Sequence, residues 1–90
     1  EVIDHTGEKV VDRELCLVKV QIAREQRTEV LQICEIFRAD VVDIGNDVLI
    51  LQVVGDSGKI DAFTNNLREF GITEMVRTGK VVLSRGVQPG

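Results

Sequence analysis

The chain has 90 residues, of which 43% are hydrophobic and 29% charged, and its formal net charge is −4. A chain of this length forms one domain with a single core, and no apolar run approaches the ~18 residues that a membrane-spanning helix requires. The excess of acidic over basic side chains argues against a nucleic acid as the main partner.

The first fourteen residues are predicted to form a polar, irregular arm, in which Val2 with Ile3 and Val10 with Val11 are the only apolar pairs. This arm has neither the basic start nor the apolar segment of a signal peptide, and it does not begin with Met. We therefore expect the chain to be a piece of a longer protein, with residues 1–13 as a linker that leaves a preceding domain.

The first regular elements are predicted to be a strand and a helix. Residues 15–22 alternate along a strand, which places Cys16, Val18, Val20 and Ile22 on one face and Leu15, Leu17, Lys19 and Gln21 on the other. Apolar residues then recur at i, i+3, i+4 and i+7 as far as Phe37. This spacing predicts a helix that begins near Thr28, a possible N-cap, and runs to about Arg38.

A β-hairpin is predicted next. Residues 45–47 (Gly-Asn-Asp), which tolerate positive φ, separate the β-branched run 41–44 from the extended run 48–54. A second helix is predicted to begin directly after this hairpin, because the side-chain oxygen of Asp56 or Ser57 can cap it.

The second helix carries an apolar stripe at i, i+3, i+7 and i+10, and Gly71 stands where the chain is expected to turn left-handed. Residues 72–83 form the last predicted strand, interrupted by a bulge or turn near Thr78 and Gly79. The order β-α-β-β-α-β with right-handed crossovers predicts a ferredoxin-like α+β sandwich, a four-stranded antiparallel sheet with two helices on one face. We assign this domain to residues 14–85 and a tail to residues 86–90.

The sheet face without helices is predicted to be unusually apolar. Leu15 and Leu17 of the first strand, and Val48, Ile50 and Val54 of the third, point to this face. A solvated antiparallel sheet normally alternates apolar and polar residues, and each such side chain is worth about 1.5–3 kcal/mol when fully buried. We expect a partner subunit or domain to cover this face. The alternative is that the N-terminal arm, or the end of the last strand, covers it.

Residues that could carry catalysis or hold a ligand are scarce. The single histidine, His5, lies in the polar arm, and the only serines, Ser57 and Ser84, lie in cap and tail positions, so a nucleophile triad has no members. Cys16 and Cys34 are predicted to be buried free thiols. No acidic spacing predicts a metal site, and all three Phe lie on helical stripes rather than on the sheet, where an RNA-binding module would need them.

Four stretches carry a resemblance to a known family, in the right order and spacing: RELCLVKV (13–20), EIFRADVVDI (35–44), VVGDSGK (53–59) and FGITEMVRTGKVVL (70–83). In these stretches the chain resembles the C-terminal domain of the acetolactate synthase (acetohydroxyacid synthase) small regulatory subunit. Cys16 departs from the Met common at that place, and Asp40 replaces the usual Lys, Arg or Gly.

This resemblance implies a non-catalytic regulatory module. In the family, an N-terminal ACT domain that binds a branched-chain amino acid precedes this domain. The assembly activates a catalytic subunit and makes it sensitive to feedback inhibition. Thiamine diphosphate, Mg²⁺ and FAD then belong to the catalytic partner and none to this domain. We expect a homodimer of the small subunit, located in the bacterial cytoplasm or the plastid stroma.

For such a module the candidate site is an interface rather than a catalytic centre. The residues that we assign to it are Leu15, Leu17, Val48 and Ile50 on the bare sheet face, together with the motif Arg77, Thr78 and Gly79. The alternative function is a stand-alone ACT-like sensor that binds an amino acid or nucleotide at a dimer interface. Residues 23–27, the first strand-to-helix turn, lack the glycine that ACT domains use to admit an effector.

Overall fold

The computed structural model describes residues 10–85, which form one antiparallel sheet and two helices. The strands are β1 (Val10–Gln21), β2 (Asp40–Ile44), β3 (Val48–Gly55), β4 (Ile72–Arg77) and β5 (Val81–Ser84). The helices are α1 (Arg27–Phe37) and α2 (Ser57–Leu67), and short 3₁₀ turns occupy Arg24–Gln26 and Arg68–Phe70.

The strand order β2-β3-β1-β4 is that of the predicted ferredoxin-like fold, and each neighbouring pair is antiparallel. β5 pairs with residues 10–13 of β1, beyond the point where β3 ends. Residues 10–13 and 81–84, called the ribbon below, therefore extend the four-stranded part of the sheet as a two-stranded projection. The predicted α+β architecture is confirmed, with this fifth strand added.

β4 and β5 are the two halves of the single last strand predicted for residues 72–83. Arg77 in β4 opposes Cys16, and Val81 in β5 opposes Arg13, so that residues 78–80 face only two residues of β1. An extra residue on one strand of an antiparallel pair is a β-bulge. The interruption predicted at this place is therefore confirmed.

β1 begins earlier than predicted. Residues 10–14 were expected to be irregular, but they belong to β1 because β5 supplies the pairing partner of residues 10–13. This partner lies far along the chain, so the local polar sequence does not reveal it. Residues 10–13 are thus not an irregular linker. The rest of the predicted linker, with His5, and the tail at 86–90 lie outside the described residues.

The core lies between the inner face of the sheet and the two helices. The predicted inward sets of β1 and β3 are buried, as is the apolar stripe of α2; in the stripe of α1, Val30 and Cys34 are buried, and Ile33 and Phe37 are partly buried. The completely buried residues are Cys16, Val18, Val20, Val30, Leu49, Leu51, Ile60, Phe63 and Leu67. Phe37 of α1 and Phe63 of α2 pack edge to face with ring centres 5.5 Å apart, a favourable aromatic geometry. Both helices therefore cover the same side of the sheet.

The structure contains the predicted cap of the second helix but not the predicted cap of the first. Asp56 caps α2 as predicted, accepting a hydrogen bond from the Lys59 N–H at 2.9 Å. Thr28 is not a cap, because α1 begins one residue earlier, directly after the 3₁₀ turn at Arg24–Gln26. The hairpin between β2 and β3 forms, but none of residues 45–47 has a positive φ.

Gly71 has a φ of 81°, and a Cβ added there would lie 3.1 Å from the Gln21 carbonyl oxygen. We predict that Gly71→Ala lowers the free energy of unfolding by about 1–2 kcal/mol, because an L-residue in the left-handed region is strained. Gly58→Ala is the matched control: Gly58 lies in the first turn of α2, where an added Cβ would make an ordinary contact of 3.5 Å with Asp56 Oδ1, so Ala should stabilise by about 0.5–1 kcal/mol. Urea unfolding of both variants tests this, and equal stability of Gly71→Ala and the parent would contradict it.

Candidate interaction surface

The outer face of the sheet, on the side away from both helices, holds the four apolar residues predicted for an interface. Leu15 is half-buried and Leu17 is 37% exposed on β1, while Val48 and Ile50 are half-buried on β3. Their neighbours along each strand are the buried core residues, so strand alternation directs all four to the outer face. The structure therefore brings these four residues to one side of the sheet.

One end of the outer face is polar. The Lys19 ammonium lies 2.9 Å from a Glu74 carboxylate oxygen, and Ile50 opposes Lys19 across the β1–β3 pair. Val48 opposes Gln21 at the same end. Exposed ion pairs of this kind contribute little to stability. Because its charged groups are already hydrated, this end of the face can remain exposed to solvent.

The other end is apolar. Leu15 opposes Val54, and Leu17 opposes Val76, so three adjacent strands each present aliphatic side chains there. Val76 is 61% exposed and Val81 of the ribbon is 70% exposed. Leu15, Val54 and Val81 line one open groove of about 310 Å³. The apolar end thus continues from the four-stranded sheet onto the ribbon.

The sequence pattern alone does not assign Val76 and Val81 to the interface. These two residues are an odd number of positions apart, and in a regular strand they would point to opposite faces. The bulge at residues 78–80 adds one residue and returns Val81 to the side of Val76, since their partners on β1, Arg13 and Leu17, share a face. Only the exact position of the bulge could have revealed this.

The motif Arg77-Thr78-Gly79 lies at the bulge. Arg77 opposes Cys16, which points to the helix side, so its guanidinium lies on the inner face. It donates to both carboxylate oxygens of Glu14, from Nη2 at 2.8 Å and Nε at 3.1 Å, and its Nη1 donates to Asp61 of α2 at 2.7 Å. One side chain therefore joins β4, β1 and α2.

Thr78 and Gly79 complete the bulge. The Thr78 N–H donates to the Leu15 carbonyl oxygen at 3.0 Å, and the Thr78 hydroxyl oxygen accepts from the Leu15 N–H at 3.1 Å. Gly79 has a φ of 85°, and its N–H donates to Glu14 at 3.2 Å. These contacts give the motif a structural role, because they hold the bulge against β1. The interface role assigned to its three residues stays a prediction.

The titratable groups of this region have shifted pKa values. Hydrogen bonds from Arg77 hold the pKa of Glu14 below its ordinary value, although its side chain is only 7% exposed. The same contacts, with Glu14 first and Asp61 second, raise the pKa of Arg77. Burial raises the pKa of Cys16, and burial with the nearby Asp40 carboxylate raises that of Cys34 to about 11. Both thiols are therefore protonated at neutral pH and unreactive.

The turn between β1 and α1 is closed by its own hydrogen bonds. The Ala23 N–H donates to the side-chain oxygen of Gln26 at 2.8 Å, and the Ile22 N–H donates to the Asp47 carbonyl oxygen at 2.9 Å. These backbone donors have partners within the chain. The Ile22 and Ala23 N–H groups are therefore not available to a bound amino acid.

Residues 10–85 contain neither a metal-binding cluster nor a membrane-spanning helix. No three His, Cys, Asp or Glu side chains in this range come together in a way that could hold a metal ion. Neither of the described helices is long and apolar enough to cross a membrane.

The sequence matches the family described as the small subunit of acetolactate synthase over residues 13–86. The probable acetolactate synthase small subunit of Archaeoglobus fulgidus is 46% identical over 84 residues, which are 93% of this chain and 53% of that protein. The acetolactate synthase small subunit of Bacillus subtilis is 46% identical over 88 residues, which are 98% of this chain and 51% of that protein.

A solved structure agrees with these sequence matches. The crystal structure of the acetolactate synthase small subunit from Thermotoga maritima superposes with a TM-score of 0.87 at 34% identity, covering 94% of this chain and 52% of that chain. The chain thus spans about half the length of the relatives that it matches.

The Glu14–Arg77 contact predicts a specific pH dependence. A folded-state pKa below the unfolded value of about 4.3 means that ionised Glu14 stabilises the fold above that pH and loses this contribution as pH falls through the folded pKa. Glu14→Gln should therefore be less stable than the parent at neutral pH, and the difference should shrink below about pH 4. Urea unfolding at several pH values measures it, and a constant difference would contradict the prediction.

Proposed function

Because the chain belongs to the family of acetolactate synthase small subunits, we propose that it is a non-catalytic domain that engages and activates the catalytic subunit of that enzyme. A small subunit works beside a larger one, so the catalytic subunit is the partner to which family membership points. Thiamine diphosphate, Mg²⁺ and FAD are proposed to bind that partner and not this domain.

The observation that carries the proposal is the apolar end of the outer face. Leu17, Val54 and Val76 are each more than one-third exposed within the described part of the chain, and they lie on adjacent strands. Aliphatic side chains gathered on one exposed sheet face are typical of a protein-binding surface, because covering them recovers about 25 cal/mol per Å² of apolar area. We therefore place the contact with the catalytic subunit at this end.

The non-catalytic part of the proposal is supported by the chemistry of the described side chains. The nucleophile candidates are two buried cysteines with raised pKa values and two serines at the ends of elements. Arg77, Glu14 and Asp61, the one cluster of charges that is partly buried, satisfy each other's hydrogen bonds. A module that acts by binding another protein does not require a catalytic side chain.

The regulatory part concerns the whole small subunit. We propose that a branched-chain amino acid bound by a preceding ACT domain changes how the outer face engages the catalytic subunit. In energetic terms this is a coupling free energy between two binding events, and the coupling is reciprocal. The domain described here would transmit the feedback signal and would not receive it.

Two further parts of the proposal concern assembly and location. The small subunit is proposed to form a homodimer, which would place two outer faces in one symmetric assembly. The bacterial cytoplasm or the plastid stroma is proposed as the compartment. Cys16 and Cys34 are both free and buried, which suits such a reducing environment.

We predict that Leu17→Glu in the full-length small subunit weakens binding to the catalytic subunit at least tenfold, because a carboxylate would be buried at the apolar end without a partner. Ile36→Glu is the matched control, since Ile36 is 76% exposed on α1 and lies outside the outer face. Its affinity should stay within about twofold of the parent.

Isothermal titration of the catalytic subunit into each small-subunit variant measures these affinities, and circular dichroism confirms that each variant is folded. Ile50→Glu provides a second substitution on the same face. Unchanged binding of both Leu17→Glu and Ile50→Glu would show that the outer face is not the contact surface.

The alternative function, an effector sensor built by this domain itself, has a direct test. We predict that titration of the 90-residue chain with valine, leucine, isoleucine or ATP produces no saturable heat at micromolar concentrations, because the β1–α1 turn lacks a glycine and its Ile22 and Ala23 N–H groups already have acceptors within the chain. Saturable binding of any of these ligands would favour the sensor. The full-length small subunit provides the positive control for valine.

A further inference from the structure

The apolar end of the outer face is divided between two structural units. Leu15, Leu17 and Val76 belong to the four-stranded part of the sheet, whereas Val81 and Leu83 belong to the ribbon. Val81 is 70% and Leu83 is 73% exposed. These two sets act as one surface only if the ribbon keeps a fixed direction relative to the sheet.

The ribbon itself is poorly supported. Within residues 10–85, all four residues of β5 are exposed, and the ladder joins β5 to residues 10–13 of β1 alone. A two-stranded ribbon is at best marginally stable without further packing. Its direction must therefore be fixed at the point where it leaves the sheet.

Glu14 occupies that point. It is the last residue of β1 to pair with β3 before the ribbon begins, and it is the one charged side chain among the buried residues of the described range. Its carboxylate accepts three hydrogen bonds, two from Arg77 and one from the Gly79 N–H in the bulge. A buried carboxylate is retained only when such donors satisfy it, so the bulge and β1 are held together here.

Arg77 extends this connection to the helix layer. The same guanidinium that holds Glu14 donates to Asp61 of α2 at 2.7 Å. The planar group presents its donors in a fixed fork, which Lys cannot reproduce. The junction is thereby attached to α2, which packs on the main sheet rather than on the ribbon.

From this geometry we infer that the Glu14–Arg77–Asp61 bridge is a positioning device, which fixes the ribbon relative to the four-stranded sheet so that both parts of the apolar end meet the catalytic subunit as one preformed surface. The inference rests on the proposed function for the identity of the partner. The three residues act through the ribbon and do not themselves form the apolar contact. Holding a surface in its bound geometry raises affinity because less conformational entropy is lost on binding.

Hydrogen exchange tests the positioning directly. In the full-length small subunit, Arg77→Gln should increase the exchange rates of the backbone amides of residues 10–13 and 81–84 at least tenfold, while those of β3 change less than about twofold. Arg68→Gln is the matched control, because within the described residues the Arg68 side chain bonds only to Asn65, on the surface at the end of α2. Uniform loss of protection in ribbon and β3 alike would indicate a general stability effect and would overturn the inference.

Binding to the catalytic subunit tests the consequence. Arg77→Gln should weaken the affinity about tenfold although every apolar contact residue is retained, and Arg77→Lys should restore only part of it. If Arg77→Gln fails to fold, Asp61→Asn is the second variant, because it weakens only the attachment of Arg77 to α2. It should likewise raise the amide exchange rates of the ribbon more than those of β3.

The two proposals fail in different ways. If Leu17→Glu weakens binding and Arg77→Gln does not, the outer face is the contact and the positioning inference is wrong. If Leu17→Glu and Arg77→Gln both leave binding unchanged while the ribbon alone loses protection in Arg77→Gln, the bridge positions the ribbon but the proposed contact surface is wrong.

Discussion

Right-handed crossovers carry both helices of a β-α-β-β-α-β chain to the same side of its sheet, so one side is always left without helices. Here the inner faces of β1 and β3 are buried under α1 and α2. The outer faces of the same strands still carry Leu15, Leu17 and Val54. A purely structural sheet would place polar residues there. This unequal cover is the constraint on which the proposed interaction function rests, because it leaves apolar area that folding of the described residues does not remove from water.

The bulge modifies this constraint by extending the apolar area beyond the sheet. Successive residues of a strand alternate between faces, and an inserted residue inverts that alternation downstream. With the extra residue at 78–80, Val81 and Leu83 join the face of Leu17 and Val76. Without it they would share the side of Arg77. The left-handed Gly79, the Thr78 hydroxyl and the Glu14 carboxylate together hold the backbone of this inversion in place.

Residue patterns predicted the elements that depend on local order. The alternation in residues 15–22, the apolar stripe of the second helix and the left-handed Gly71 are all observed. Features that depend on distant partners were not predictable: the strand at residues 10–13 requires β5, and the role of Arg77 requires Glu14 and Asp61, which lie 63 and 16 positions away. Of the seven residues predicted for the interface, the four apolar ones share the outer face, whereas the Arg77 side chain lies on the inner face. Val76 and Val81 were missed because their common direction depends on the bulge.

Coupling between the ribbon and the outer face needs an element that belongs to both, and β1 has this property. Its first residues pair with β5, its later residues pair with β3 and β4, and Leu15 and Leu17 lie on the later part. Because the strand is continuous, a rotation of the ribbon about the bulge would act first on Glu14 and Leu15. The Arg77 bridge to α2 opposes such a rotation. On the proposed positioning role, the strength of this bridge would set how stiffly the ribbon is coupled to the apolar end, and a coupling of about 1–3 kcal/mol is typical of allosteric regulation.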